Sequence, residues 1–205
     1  MATTIVLVRH GETDWNRDNR FQGHADIPLN DAGREQARAL AGQLADKSFA
    51  AVYTSPLQRA AETARIIADS LDLEVRESEA LREVDVGSWS GLTRTEVEAA
   101  HPEGFGQWLA WRHGWTDGET YDELGLRVLA ELSAIAAAHA SQTVLAVTHG
   151  GPIRSALAAA AGIGFEDGRR SFGPIGNCAV VRVAVRDGVL EAVADRRMDD
   201  YMNTS

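Results

Sequence analysis

Two short apolar runs constrain this chain more than any other feature of it. Ile5-Val6-Leu7-Val8 and Val144-Leu145-Ala146-Val147 carry no polar residue in alternation, so a strand built from either must be covered on both faces. Such strands belong inside a parallel sheet with helices packed on either side. Each run then stops abruptly: Arg9-His10-Gly11-Glu12-Thr13 follows the first, and Thr148-His149-Gly150-Gly151-Pro152 the second.

Elsewhere the apolar spacing switches to the helical period. Asn30 is placed to N-cap a helix that buries Ala37, Leu40, Ala41 and Leu44. A short strand at 51–54 ends at Ser55-Pro56, and a helix follows with Ala60, Ala64, Ile67, Ala68 and Leu71 on its face. Residues 73–75 fit a short third strand. Leu124, Val128, Leu132 and Ile135 mark a long helix, residues 143–147 a strand, and Ile153, Ala156, Leu157 and Ala160 a helix stopped by Gly162. Segments 179–185 and 189–194 flank Asp187-Gly188, a hairpin signal that sets one terminal strand antiparallel to its partner. Residues from about 84 to 120 are irregular and rich in tryptophan. We read them as a lid inserted into a single domain spanning 1–205.

The charge balance narrows the choice of partners. With 30 acidic against 20 basic side chains the formal charge is −10, which argues against a nonspecific grip on nucleic acid or anionic membrane. An anionic ligand therefore needs a local basic pocket. Cys178 is the only cysteine, so an internal disulfide and a cysteine-based zinc site are ruled out. The N-terminus lacks signal-peptide features and no apolar stretch approaches the ~18 residues of a membrane span, so a cytoplasmic protein is expected. No carboxylate and histidine cluster has metal-ligand spacing, and no cofactor or metal is expected.

Ligands of open α/β sheets bind beyond the carboxyl ends of the strands. The first strand ends in Arg9-His10, the second leads to Arg59, and the late one ends in His149, so two arginines and two histidines face one crevice. Gly11 and Gly150 allow close backbone approach, and Pro152 suits the first turn of a helix whose free N–H groups favour an anion. Guanidinium forks match phosphate oxygens, and a neutral imidazole can attack phosphorus, which makes His10 the candidate nucleophile. One such histidine alone would read as a hydrogen-bonded structural residue, and Arg59 alone as a surface residue; their convergence makes coincidence the poorer account. His24, His101, His113 and His139 lack that company and are read as surface or lid residues, His139 serving a helix C-terminus.

Together these residues resemble the histidine phosphatase superfamily, also called the phosphoglycerate mutase-like family. The likeness rests on Arg9-His10-Gly11-Glu12-Thr13 with Asn16, Ser55-Pro56-Leu57-Gln58-Arg59-Ala60 with Thr63-Ala64, Leu81-Arg82-Glu83 before Gly87-Ser88-Trp89-Ser90-Gly91-Leu92, Gly118-Glu119-Thr120, and Thr148-His149-Gly150-Gly151. It implies a three-layer α/β/α sandwich, its sheet parallel except for one antiparallel strand. It makes His10 the phosphohistidine, gives Arg9, Asn16, Arg59 and His149 to the phosphate together with Gly150, and puts Gln22-Gly23 at the pocket edge. It also makes Glu83 the general acid and then the base that activates water. Spacing alone would leave Glu83 in a solvated charge run with Glu77, Glu79, Arg82 and Asp85, and Asp85 is the fallback acid.

Family mutases carry Arg and Tyr one and three positions after the acid; here Val84 and Val86 stand there. The lid offers only Arg94 and Arg112 beside Phe105, Trp108, Trp111 and Trp115, so it reads as apolar, its aromatics forming either a satellite core or a substrate-facing wall. The expected activity is metal-independent hydrolysis of small organic phosphate monoesters through a phosphohistidine. An α-ribazole phosphate or a sugar phosphate would each fit. The alternatives are a cofactor-dependent phosphoglycerate mutase and a noncatalytic phosphate- or phosphoprotein-binding module, though a binder needs neither nucleophile nor acid. Nucleic acid and membrane are not expected as partners, and the sequence leaves the oligomeric state open.

Overall fold

The computed structural model describes residues 2–193. The chain opens with β1 (Thr3–Arg9) and a one-turn helix α1 (Asp14–Arg17), then runs through α2 (Asp31–Leu44), β2 (Val52–Thr54), α3 (Gln58–Leu71) and β3 (Val75–Glu77). The lid contains α4 (Arg94–Ala100) and α5 (Pro102–Leu109). After it come α6 (Tyr121–Ala138), β4 (Thr143–Thr148), α7 (Gly150–Ala160), α8 (Phe165–Phe172), β5 (Val180–Arg186) and β6 (Val189–Ala192).

The six strands form one sheet in the order β3-β2-β4-β1-β5-β6. β1, β2, β3 and β4 pair in parallel, and β5 runs antiparallel to both β1 and β6, so a single strand is reversed, as the resemblance implied. The two apolar runs are the adjacent central strands, with Ile5 opposite Val144 and Val8 opposite Val147. Their side chains alternate between two cores. Ile5, Leu7, Val144 and Ala146 pack with Leu124, Val128 and Leu132 of α6 and with Ile153 and Ala156 of α7. Val6, Val8, Leu145 and Val147 pack with Leu40 and Ala41 of α2 and with Ala60, Ala64 and Ile67 of α3. Helices therefore cover both faces, which is the three-layer arrangement.

Local chemistry fixes the helix starts. Asn30 caps α2 by accepting from the Gly33 N–H, and capping boxes Thr93/Glu96 and Thr120/Glu123 open α4 and α6. The second box ends the lid at Thr120. At the other end of the chain Asp187 and Gly188 take φ of 50° and 79° and join β5 to β6. Ala194, expected to end that hairpin, lies outside the described residues.

The structure departs from expectation in three places. β3 begins at Val75, not Leu73, because Asp72 caps α3 in the left-handed region and Leu73 packs against the α2/α3 core before pairing begins. α8 had no forecast: its stripe is short, with Gly168 buried between Phe165 and Phe172, which pack half-buried against the α6/α7 core. His139, taken as a surface or lid residue, is buried; its Nε2 lies 3.1 Å from the Tyr53 hydroxyl and its Nδ1 3.2 Å from Gln142 Oε1. It does cap the C-terminus of α6.

The loop after β1 rests on the first turn of α2. Asn30 N–H donates to Glu12 O at 3.0 Å and Glu12 N–H to Gln36 Oε1 at 2.9 Å, while a Cβ on Gly33 would collide with the Glu12 carbonyl. In the same helix Gly42 is exposed and has nothing within 4 Å of such a Cβ. Opposite effects are expected in denaturant titrations. Gly33→Ala should lower stability by about 1–3 kcal/mol through backbone displacement. Gly42→Ala should raise it by up to about 1 kcal/mol through helix propensity.

Candidate active site

The strands β2, β4 and β1 are neighbours, so Ser55, His149 and His10 emerge side by side at their carboxyl ends. Backbone bonds from His10 N–H to Thr148 O (2.9 Å) and from Ser55 N–H to Val147 O (3.1 Å) carry the pairing one residue beyond the strands. α2 packs on one face of the sheet and α7, which follows β4, on the other, which opens a crevice between them.

His10 is 2% exposed and its ring lies 5.1 Å from that of His149. Its Nδ1 donates to the Gly11 carbonyl at 2.6 Å, which fixes the tautomer and leaves the Nε2 lone pair facing the crevice. Burial, and then the charges of Arg59 and Arg9, hold its pKa well below the ordinary value. The imidazole is therefore neutral. His149 is fully buried, and its pKa is depressed by burial and Arg59; its Nε2 sits 2.9 Å from Ser55 Oγ, while its Nδ1 has no partner.

Arg59 sits at 0% exposure, not on the surface, and donates to Gly23 O at 2.8 Å and Ala25 O at 2.7 Å. Arg9 donates to Ile175 O. Desolvation pulls both guanidinium pKa values down to about 10, against the attraction of Glu83. The Nε atoms of Arg9 and Arg59 are buried without partners, as is Nδ1 of His149. A buried donor left unpaired costs about 1–3 kcal/mol. The two unpaired guanidinium N–H groups on the cavity wall beside the His10 ring, with the His149 ring behind it, suit an anion.

Asn16 lines the same cavity, its Oδ1 taken by Thr13 N–H and Asn177 Nδ2, so its own Nδ2 is left to donate. Gln22 and Gly23 lie on the wall as expected, and Gly23 also anchors Arg59. His149 and Gly150 lie behind the wall. The cavity has a volume of about 630 Å³, enough for a phosphate with a substantial organic group.

Glu83 reaches this wall from the loop before the lid. Its Oε1 accepts from Val84 N–H (2.9 Å) and from Gly151 N–H in the first turn of α7 (3.0 Å). A Cβ on Gly151 would strike that oxygen, so the second glycine of His149-Gly150-Gly151 is a seat for the carboxylate. Asp85 does not line the cavity and accepts from Gly87 N–H instead. Arg127 of α6 clamps the loop: it donates to the carbonyls of Ala80, Arg82 and Glu83 and grips both Glu119 oxygens at 2.6 and 2.8 Å. Sequence reading passed over Arg127, although an arginine three residues after Leu124 on a buried stripe was the available signal. His24, read as a bystander, also holds this loop, its Nε2 2.8 Å from Glu83 O.

The sequence model of the histidine phosphatase superfamily (branch 1) matches residues 5–195. The chain belongs to the histidine phosphatase superfamily. Phosphoglycerate mutase-like protein 4 of Arabidopsis thaliana is 42% identical over 74% of this chain and 68% of its own length. Phosphoserine phosphatase 1 of Hydrogenobacter thermophilus is 36% identical over 78% and 76% respectively. Among solved structures, Bacillus stearothermophilus YhfR superposes with a TM-score of 0.86 at 33% identity, covering 93% of this chain and 95% of that one.

The lid of this histidine phosphatase is not the apolar cover expected. Trp89, Phe105 and Trp115 do join the α6/α7 core, but Trp108 is faced by Arg94 at 5.3 Å and Arg169 at 4.0 Å, and Trp111 by Arg169 at 4.9 Å. Arg169 arrives from α8, the helix the sequence did not reveal. Among the described residues no group of three or more His, Cys, Asp or Glu side chains is placed to hold a metal ion, and no helix is long and apolar enough to cross a membrane.

The buried histidines link stability to pH. Below pH 6.5 the unfolded chain protonates at His10 and His149 while the folded protein does not, so their contribution is complete above 6.5 and is lost as the pH falls. Unfolding free energy should drop by up to about 1.4 kcal/mol per pH unit for each histidine, measured by denaturant titration between about pH 7.5 and 5. The His149→Gln variant should show a shallower acid limb; an unchanged one would mean that His149 is protonated in the native state.

Proposed function

We propose that this histidine phosphatase is a metal-independent phosphomonoesterase that hydrolyses small organic phosphates through a phosphohistidine on His10. The observation that carries the reading is the pair of unpaired buried guanidinium N–H groups on Arg9 and Arg59 beside a neutral imidazole whose free nitrogen faces the cavity. Those donors match the equatorial oxygens of a phosphoryl group in transfer. His10 Nε2 attacks phosphorus, the P–O bond to the alcohol breaks, and Glu83 gives its proton to the leaving oxygen. Glu83 then takes a proton from water as that water attacks the phosphohistidine, returning His10 and releasing phosphate. Oε1 accepts from Val84 N–H and Gly151 N–H, whereas Oε2 has only the longer 3.3 Å contact with Gly151 N–H and is the oxygen better placed to carry the proton. A cytoplasmic location belongs to the same proposal and is supported by the single cysteine.

The name of the Arabidopsis relative favours a second reading, phosphoglycerate mutase. Val84 and Val86 oppose it. Both are buried on the cavity wall where the family mutases place an arginine and a tyrosine for the sugar acid, and neither can donate or accept a hydrogen bond there.

Rapid quench with a labelled phosphate ester should trap an acid-labile, base-stable phosphopeptide containing His10, and turnover should survive chelators. Label on a serine, an aspartate or another histidine would sink the assignment. For Glu83, the cost of Glu83→Gln should follow the leaving group. Single-turnover phosphorylation should fall on the order of 10²–10⁴-fold with an alkyl phosphate and far less with p-nitrophenyl phosphate, whose phenolate leaves with little help. Equal losses for the two esters would remove Glu83 from the chemistry.

A further inference from the structure

The stretch Gln22-Gly23-His24-Ala25 lies between the arginine end of the cavity and the loop that carries Glu83. On one side, the carbonyls of Gly23 and Ala25 take the two Nη groups of Arg59 at 2.8 and 2.7 Å. On the other, Gly23 takes φ of 50° and runs so near the acid loop that a Cβ on it would lie 2.7 Å from Val86 Cγ2 and 3.1 Å from Val86 N. His24, between those two carbonyls in the chain, reaches the same loop. Its Nε2 lies 2.8 Å from Glu83 O, and since a carbonyl can only accept, Nε2 carries the hydrogen. The other ring nitrogen, Nδ1, lies 3.8 Å from Asp85 Oδ2; whether or not it is protonated, the bond from Nε2 stands.

The Glu83 carbonyl is therefore gripped from both layers of the fold. Arg127 donates to it at 2.8 Å from α6, whose buried face belongs to one core. His24 donates from a stretch anchored on Arg59 of α3, whose buried face belongs to the other. The two grips differ in what they fix. Arg127 bonds otherwise to Glu119 and to the carbonyls of Ala80 and Arg82, so it sets the acid loop against α6. His24 closes a short line of contacts that runs from the Arg59 guanidinium through two backbone carbonyls to the acid. Its own side chain does not line the cavity. A proton donor must come within hydrogen-bond reach of the oxygen it serves, and a misplacement of about 1 Å can cost as much as 100-fold in rate.

We propose, building on the phosphomonoesterase reading, that His24 is a positioning residue which sets the distance between the phosphate held by Arg59 and the carboxyl group of Glu83. It touches no reacting atom and acts through the Glu83 backbone.

Leaving-group dependence tests this, because a merely structural residue would slow all esters alike. His24→Leu removes the donor and keeps the bulk. In single-turnover phosphorylation it should lose on the order of 10-fold with an alkyl phosphate, the worth of about one hydrogen bond, and under about 3-fold with p-nitrophenyl phosphate. His24→Gln, which keeps an N–H at similar reach, should recover most of the loss. In a Glu83→Gln background His24→Leu should cost the alkyl ester almost nothing more, since the group it positions is gone. Equal losses with the two esters, or a full further loss in the double variant, would overturn the proposal. So would weaker binding of inorganic phosphate by His24→Leu, which would put the histidine in the service of Arg59 alone. Nitrogen-15 NMR of the unaltered protein needs no variant to fold: His24 should carry its hydrogen on Nε2, and a neutral ring with the hydrogen on Nδ1 would mean that the bond to Glu83 is not made. These results strike the positioning role alone, whereas failure of the unaltered protein to hydrolyse either ester would strike the phosphomonoesterase reading and this proposal with it.

Discussion

Positive charge buried without a bound carboxylate is the constraint on which the rest of this molecule depends. Arg9 and Arg59 are held at the ends of a parallel sheet by backbone carbonyls alone, with two imidazoles between them. In a protein with a formal charge of −10, an acidic partner for either arginine would be easy to supply and would abolish the site. The carbonyls of Gly23, Ala25 and Ile175 solve the problem differently: they orient each guanidinium and satisfy some of its donors while adding no negative charge. The donors left over, and the low proton affinity of His10, are two faces of that arrangement.

Among the described residues Glu83 is the carboxylate whose field reaches both arginines, and its position is controlled from three directions. α7 supplies an amide, the absence of a side chain at Gly151 supplies the space, and Arg127 ties the loop to α6. Such over-determination holds the carboxylate beside two guanidinium groups without letting it collapse onto either, as the proposed acid requires.

The sequence carried the layers and the cradle and lost the rim. Strands covered on both faces and helices with one buried face write their burial into local periodicity, so β1, β4, α2, α3, α6 and α7 were legible from spacing. His10, Arg9, Arg59 and His149 were legible because strand ends in a parallel sheet converge by topology. α8 is about two turns long and packs on the core through Phe165, Gly168 and Phe172, too short a stripe to stand out in the sequence. Arg127 and His24 act on backbone carbonyls 44 to 59 positions away in the chain, and no local pattern encodes such pairs. Glu83 itself was found by resemblance and not by spacing, since a carboxylate in a charged stretch looks the same whether it faces water or a substrate.

The lid aromatics sit on both sides of one boundary. Trp89, Phe105 and Trp115 are continuous with the core that also packs Ile5, Val144 and Ile153 against the sheet, while Leu109 and Trp111 stand 58% and 41% exposed at the cavity mouth. Trp115 is thus shared between the folding of the sheet's lid-side layer and the shape of the cavity, with Trp89 and Phe105 packed behind it, and the outer residues are not so shared. A lineage descending from this chain can exchange the outer residues at little structural risk, but can alter the inner ones only with compensating changes in α6 or α7. Diversification of substrate range in such a scaffold should therefore proceed from the mouth inward, with the phosphate end the last part to change.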